Sequence, residues 1–308
     1  MSLLFAAASP LSAQVGQQGD PFAFDDPQIR DEISAPEAAP VAQEFSLSVS
    51  YVGDMEMEQG DASFGDVDTI HNQLTYVVSP TIEDGVLLRL GVDWNRFSFG
   101  LPNQAPIPNT LQNYNLIVGF DMALSDKWLM RFEALPGIYN TNTDIQSNDV
   151  NVPLVLGFSY LHSAELQFVL GLSMDLWREY PVLPGAGVRW QFAEKWTLNA
   201  IVPRPQLEYS VTRNLQLFIG AELVGGTFRS DENFGNTHGN AKLNDTPISY
   251  SEIRTGGGLI YNFTPQMSLK LSGGWVPYRR IDFHRANTQF DKADAGAPYG
   301  QLSFQASF

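Results

Sequence analysis

The stretch that decides the fold is residues 166–176, which read LQFVLGLSMDL. Every second residue in it is apolar: Leu166, Phe168, Leu170, Leu172, Met174 and Leu176. Because successive side chains of a strand point to opposite faces, this period of two predicts a β-strand with one apolar and one polar face. The stretch is longer than the roughly five or six residues usual in soluble proteins, and a tilted strand needs about ten residues to cross a bilayer.

The same alternation continues from Phe45 to Phe308 and predicts fourteen strands. They are expected near residues 44–54, 69–79, 86–97, 111–124, 128–138, 149–161, 165–177, 184–192, 196–202, 205–211, 214–228, 248–263, 267–276 and 299–308. The segment 201–207 contains two prolines, which cannot donate to a ladder, and we interpret it as a tight outer hairpin. If that segment pairs differently, twelve strands is the alternative.

Short and long connections alternate along the chain. The short ones lie at residues 125–127, 162–164, 193–195, 212–214 and 264–266, and the long ones near 54–68, 99–110, 140–148, 229–247 and 278–298. Tight turns at one rim and long loops at the other are typical of outer-membrane barrels, whose turns face the periplasm. We therefore predict an all-β fold, a transmembrane antiparallel up-and-down β-barrel located in the cell outer membrane.

The six tryptophans lie toward the ends of predicted strands, where they are expected to form aromatic girdles at the two bilayer interfaces. They are Trp94, Trp128, Trp177, Trp190, Trp196 and Trp275. In a soluble β-sandwich, tryptophan would be expected in the middle of a strand, buried in the core. Their positions favour the barrel.

Composition excludes several classes of protein. The 308 residues carry 34 acids against 18 Lys and Arg, a formal net charge of −16, so we expect no nucleic-acid partner. With no cysteine, the chain can form no disulfide, thiolate metal site or cysteine nucleophile. Thirteen of the acids lie between Asp20 and Asp68, so the net charge is no argument for a cation-selective pore.

The N-terminal region divides into two parts before the barrel. Residues 1–13 are short, apolar and end in small residues, which predicts a signal peptide, although the usual basic start is missing. Residues 14–44 are acidic and proline-bearing, and we expect a disordered tail or a plug. The barrel is then expected over residues 45–308.

The last eight residues, QLSFQASF, resemble the C-terminal strand of bacterial outer-membrane proteins. That resemblance implies that Phe308 is an assembly signal recognised by the barrel-assembly machinery. The whole pattern is similar to uncharacterised outer-membrane barrel families of twelve to fourteen strands, and the segment Pro203-x-Pro205-x-x-x-Tyr209 is similar to one such family of unknown function. The resemblance implies a fold and a location, and no active residue.

Polar residues on the inward faces are the candidate functional set. The predicted lumen-lining residues are Arg89, Asp93, Asn115, Arg131, Glu133, Asp175, Arg189, Glu222, Arg254 and Lys270. Charges of both signs can line an aqueous channel, or they can pair across the lumen and close it. We expect a passive, porin-like channel for small solutes or hydrophobic compounds, and the alternative is a non-conducting barrel with a structural or surface-interaction role.

Catalysis is the third alternative, as an outer-membrane hydrolase. The four histidines, His71, His162, His238 and His284, are dispersed without metal-ligand spacing, and none is linked by sequence to a nucleophilic serine. We therefore predict a non-enzyme with no metal and no cofactor. The expected partners are outer-membrane lipid and lipopolysaccharide, to which the acidic loop 54–68 could bind through divalent cations.

Overall fold

The computed structural model describes residues 41–102, 105–142, 144–293 and 295–308. The predicted signal peptide, and the predicted tail up to residue 40, lie outside the described residues. None of the helices in the described part of the chain is long and apolar enough to cross a membrane.

The described chain is almost entirely β-structure, in one sheet that closes on itself. The strands are β1 (Val41–Val52), β2 (Glu56–Gln59), β3 (Ala62–Asp66), β4 (Asp68–Glu83), β5 (Val86–Gly100), β6 (Thr110–Ser125), β7 (Trp128–Ala134), β8 (Gly137–Asn140), β9 (Val150–Asn151), β10 (Leu154–Leu161), β11 (Leu166–Met174), β12 (Val182–Ala193), β13 (Trp196–Asn199), β14 (Gln206–Ser210), β15 (Leu215–Arg229), β16 (Pro247–Thr264), β17 (Met267–Phe283), β18 (Thr288–Lys292) and β19 (Ala297–Ser307). Closure comes from antiparallel pairing of β1 with β19, from Glu44 opposite Ser307 to Val52 opposite Tyr299.

Fourteen strands form the barrel wall, which confirms the predicted architecture. β7 with β8, and β9 with β10, each form one wall strand that is interrupted near Pro136 or Pro153. The interruptions lie side by side: Leu116 N donates to Pro136 O, and Leu135 N donates to Pro153 O. Proline has no N–H to donate, so the ladder breaks at both residues while their carbonyls still accept.

The barrel begins earlier than the predicted boundary at residue 45. β1 starts at Val41, which pairs with Pro80 of β4, so residues 41–44 belong to the wall rather than to a tail. The sequence there lacks a clear alternation, but its backbone is paired and Glu44 is held by an ion pair inside the barrel.

Two of the predicted long loops contain strands. The acidic segment 54–68 forms the β2–β3 hairpin, and β17 continues to Phe283 and then pairs with β18. β18 also pairs with β2, so these strands form an extension above the extracellular rim. The polar, glycine-rich composition of these segments does not predict strands. The pairing of β18 with β2 also joins segments that are remote in sequence, which local patterns do not indicate.

The outward faces of the wall strands form an apolar belt. Side chains on them are more than a third exposed, among them Leu47, Val49, Leu90, Val92, Leu116, Val118, Leu170, Leu217, Ile219, Leu271 and Leu302. A closed barrel satisfies its own backbone hydrogen bonds, and an apolar outer belt matches the bilayer core. The protein is an outer-membrane β-barrel.

Five of the six tryptophans lie on this outer surface. Trp128, Trp190, Trp196 and Trp275 are 39–47% exposed, and Trp94 stacks on the exposed ring of Tyr114.

Trp177 is different, and its prediction as a girdle residue is wrong. It is only 9% exposed, its ring lies 6.3 Å from that of Tyr139, and the Arg229 guanidinium lies 5.3 Å above it. The loop that carries Trp177 therefore packs on β8 and on the end of β15, and Trp177 N also donates to the buried carboxylate of Asp175 at 2.9 Å.

The wall is incomplete on one side, above the short strands β13 and β14. Pairing of β12 with this hairpin reaches Val188, whose carbonyl accepts from Ala200 N, and pairing of β15 reaches Leu223, which donates to Pro203 O. Above these points the described chain places no strand between β12 and β15, and we call this opening the wall gap. The end of β15 instead leans across the barrel, where Arg229 pairs with Asn140 of β8.

The close spacing of β6 and β7 leaves no room for a side chain at Gly119 of β6. A Cβ there would lie 2.1 Å from Phe132 O on the neighbouring strand β7. We expect Gly119→Ala to lower the free energy of unfolding by about 1–3 kcal/mol, because the strands must separate to admit the methyl group. Urea unfolding of the barrel in lipid vesicles, followed by tryptophan fluorescence, measures this.

Gly300 of β19 provides the matched control, because a Cβ there meets no atom within 4 Å. Gly300→Ala should leave the unfolding midpoint unchanged. Equal midpoints for the two variants would contradict the strand spacing described for β6 and β7.

Candidate functional site in the barrel interior

The interior near the periplasmic rim contains a group of ion pairs that we call the periplasmic charge cluster. Its members are Glu44, Arg89, Asp121, Arg131 and Glu133, contributed by β1, β5, β6 and β7. Arg89 donates from Nη1 to Glu44 Oε1 at 2.6 Å and from Nε to Glu133 Oε1 at 2.7 Å. Arg131 binds both oxygens of Asp121, at 2.7 Å each, in a bidentate pair.

A second group, the Glu252 cluster, lies on β16 and β17 toward the extracellular side. Glu252 accepts from Arg254 Nε at 2.7 Å, from Arg279 Nη2 at 2.8 Å and from the Tyr250 hydroxyl at 2.7 Å. These four side chains are at most 1% exposed. Two guanidinium groups therefore share one carboxylate away from water, and each depends on it for compensation of its charge.

Hydrogen bonds between polar side chains join the inward faces of β4, β5 and β6. Asp93 accepts from Thr75 Oγ1 at 2.8 Å and from Asn113 Nδ2 at 3.2 Å. His71 lies on the same wall, hydrogen-bonded to Asn95 at 2.6 Å and stacked on the ring of Phe97 at 4.1 Å. This polar layer ends at Phe97, where an apolar layer begins.

The extracellular mouth is filled by buried apolar side chains, which we call the apolar plug. It consists of Met57, Val67, Phe97, Phe99, Ile107, Leu111, Val224, Phe228, Leu243, Ile248, Tyr250, Ile281, Phe283 and Phe290. Rings meet edge to face within it, with the Phe97 and Tyr250 centroids 4.7 Å apart. The inward lean of β15 is what brings Val224 and Phe228 into contact with the opposite wall.

The structure places the predicted lumen-lining residues in several separate groups. Arg89, Arg131 and Glu133 meet in the periplasmic charge cluster, and Arg254 belongs to the Glu252 cluster. Asn115 is buried beside Asn113. Arg189 is half-buried on β12, in register with Gln167 of β11 and Asn199 of β13.

The remaining three lie apart from those clusters. Glu222 pairs with Arg204 at 3.1 Å, and the Lys270 ammonium lies 4.4 Å from the centre of the Phe218 ring. Asp175 is buried in the loop after β11, where it accepts from Asn151 at 2.9 Å.

Sequence reasoning missed Glu44 and Arg279 as interior residues. Glu44 was assigned to the acidic tail, and Arg279 to a long loop, because neither lies in a clear alternating run. The useful signal for Arg279 is the alternation that it begins with the apolar residues Ile281 and Phe283. A bulge after Trp275 shifts the period, so that these three side chains face inward while Trp275 faces outward.

The four histidines and the serine beside His162 were the candidates for a metal or catalytic site. No group of three or more His, Asp or Glu side chains is placed to hold a metal ion in the described part of the chain. Ser163, next to His162, donates to Glu165 Oε2 at 2.8 Å in an exposed turn.

Substitution of Glu252 tests whether water reaches the interior charges. We expect Glu252→Gln to lower the free energy of unfolding by about 3–5 kcal/mol, because Arg254 and Arg279 would keep their buried charges without a carboxylate. Glu232→Gln, in an exposed loop, should change it by less than about 0.5 kcal/mol. If both variants unfold at the same urea concentration, the interior is hydrated and the cluster is not sealed.

Comparison with solved structures returns other outer-membrane barrels at low sequence identity. The COG4313 outer membrane channel from Pseudomonas putida F1 is 12% identical, with 89% of this chain and 98% of that chain covered and a TM-score of 0.47. The toluene transporter TbuX from Ralstonia pickettii is 11% identical, with 97% and 98% covered and a TM-score of 0.39. The NanC porin is 12% identical, with 85% and 98% covered and a TM-score of 0.40.

Comparison at the level of sequence is more specific. A search of curated proteins finds no match. One family model matches residues 86–306, which run from the start of β5 to the end of β19 and so include most of the barrel wall. The chain therefore belongs to the family described as Domain of unknown function (DUF6268).

Proposed function

We propose that this barrel is a gated channel that admits small hydrophobic compounds through the outer membrane. The observation that carries the proposal is the apolar plug, which fills the extracellular mouth with aromatic and aliphatic side chains. A hydrated ion entering this layer would lose its water without compensation, whereas an apolar molecule would not. Passage requires the plug side chains to move, so the described conformation is the closed state of the channel.

The position of the plug supports gating at the extracellular end. Val224, Phe228, Ile281 and Phe283 all lie on the leaning parts of β15 and β17. Outward movement of this wall would separate them from Phe97 on the opposite side. A single movement would then open the mouth and leave the periplasmic charge cluster in place.

A non-conducting structural barrel is the second candidate. Complete burial of Glu252, Arg254 and Arg279 favours it, because a sealed ionic network between the neighbouring strands β16 and β17 offers no water-filled path. The two candidates differ in what crosses the membrane when the barrel is folded and inserted.

The terminal residue is also consistent with its proposed role as an assembly signal. Phe308 is 57% exposed, and its backbone exchanges hydrogen bonds with Gln43 of β1 at 2.8 and 2.9 Å. We propose that its ring is recognised by the assembly machinery before β19 closes the barrel on β1.

Dye uptake by intact cells tests the channel. We expect expression of the protein to increase entry of the hydrophobic dye N-phenylnaphthylamine through a lipopolysaccharide-bearing outer membrane. Phe228→Asp should abolish that increase, because a carboxylate in the plug would repel an apolar solute. Phe228→Leu should retain it, since the plug stays apolar.

Two controls separate an effect on transport from effects of misfolding and of added charge. Heat-modifiable gel migration shows whether each variant has formed the barrel, and Asn233→Asp adds the same charge in an exposed loop. Uptake equal to that of cells without the protein, despite a folded and inserted barrel, would overturn the channel and leave the structural role.

A further inference from the structure

A cavity of about 540 Å³ lies on the face of β16 and β17 that is turned away from the apolar plug, and we call it the outer recess. Its floor is the outward face of β16 and β17 beyond Trp275, and one side is the loop after β11, with Glu179 and Tyr180. The segment between β17 and β18 forms the remaining side. The volume falls in the range of small-molecule sites, roughly 300–1,000 Å³.

The lining is dominated by hydrogen-bonding groups. Hydroxyl groups come from Ser249, Ser251 and Thr288, and amides come from Asn287 and Gln289. Two tyrosines, Tyr180 and Tyr278, supply ring faces as well as hydroxyls. Groups that both donate and accept, next to flat rings, suit a ligand that carries several hydroxyls on a compact skeleton.

One buried hydroxyl lacks any partner of its own. Ser249 is only 4% exposed, and its Oγ makes no hydrogen bond although it lines the recess. His284 Nδ1, on the opposite side of the recess, is likewise buried without a partner. Burying polar atoms in this way is costly unless something bonds them, so both indicate a ligand in the recess.

The charges of the recess disfavour an anionic ligand. Arg280 is its one arginine, and that guanidinium is engaged by Asp291, with 2.6 Å from Nε to Oδ1. Glu179 and Asp282 contribute two carboxylates. The recess is therefore acidic overall, which favours a neutral or positively charged ligand.

We propose that the outer recess binds a small polyhydroxylated ligand without negative charge, namely a neutral sugar or an amino sugar. Carboxylates accept from the sugar hydroxyls, the amides and Ser249 complete the bonding, and an amino group is drawn to Asp282 and Glu179. The ligand can be a free saccharide or a sugar unit of lipopolysaccharide, since both present this chemistry at the cell surface. The proposal is independent of transport through the lumen.

Titration calorimetry on the full chain tests the site, in lauryldimethylamine oxide because that detergent carries no sugar. Glucose, glucosamine and glucuronate are the probes. We expect binding of glucose and glucosamine, with glucuronate at least about tenfold weaker. Absence of binding heat for both glucose and glucosamine with a folded barrel overturns the proposal.

Three variants locate the binding. Ser249→Val should weaken both sugars about tenfold, and Asp282→Asn should weaken glucosamine more than glucose. Asp126→Asn, in an exposed turn at the periplasmic rim, is the matched control and should change neither. Affinities that are the same in Ser249→Val, Asp282→Asn and the control would show that the sugars bind elsewhere, which also overturns the proposal.

The pH dependence provides a readout tied to this site. Burial, and then the nearby Glu179 carboxylate, raises the pKa of Asp282 to about 6, while Arg280 opposes the shift. Asp282 is therefore mainly ionised at pH 7 and mainly protonated at pH 5, with His284 and Asp291 the other titratable groups nearby. Glucosamine should bind more weakly at pH 5 than at pH 7, and Asp282→Asn should reduce that difference.

Competition with purified lipopolysaccharide distinguishes the two sources. Displacement of glucosamine by lipopolysaccharide micelles identifies the membrane sugar as the ligand. Retention of glucosamine in their presence identifies a free saccharide.

Discussion

The structure depends on one constraint, which is that a bilayer offers no water to an unpaired backbone group. Pairing of β1 with β19 meets that demand by removing both edges of the sheet. The prolines at residues 136 and 153 are tolerated because their carbonyls remain bonded across the interruption. The wall gap lies above the β13–β14 hairpin, in the extracellular half of the wall between β12 and β15.

Charge burial imposes the second limit on the interior. Arginines as buried as Arg131 and Arg254 are tolerated only with carboxylates in direct contact, and Asp121 and Glu252 supply them. The resulting networks connect neighbouring strands without filling the mouth, which is left to the apolar plug. Ion pairs thus tie neighbouring strands together at both levels of the interior, while weaker, non-directional contacts close the mouth.

The strands and their order could be predicted from the sequence because alternation is a local pattern. In residues 166–176, for example, the polarity of each residue indicates whether it lies on the inward or the outward face of the strand. The inward position of Arg89 or Glu133 follows from the same rule. The partners of these residues could not be predicted, since Glu44 on β1 meets Arg89 on β5 across the intervening strand β4. Trp177 was misplaced for a related reason: its loop packs on Arg229 and Tyr139, and no local pattern records that contact. The pairing of Arg229 at the end of β15 with Asn140 of β8 could not be predicted either, since strand periodicity does not record contacts across the barrel.

The pairing of β1 with β19 also determines when the barrel can close during folding. Ser48 and Ser303 are hydrogen-bonded although they are 255 residues apart in sequence. Such a contact requires closure of nearly the whole chain, which makes it entropically late and slow to form. Until β19 arrives, β1 presents an open edge that could pair with other chains. Pairing of β1 with β19 is therefore the step of assembly at which the chain needs protection from other chains. Truncations near either of these strands should produce aggregates rather than smaller barrels.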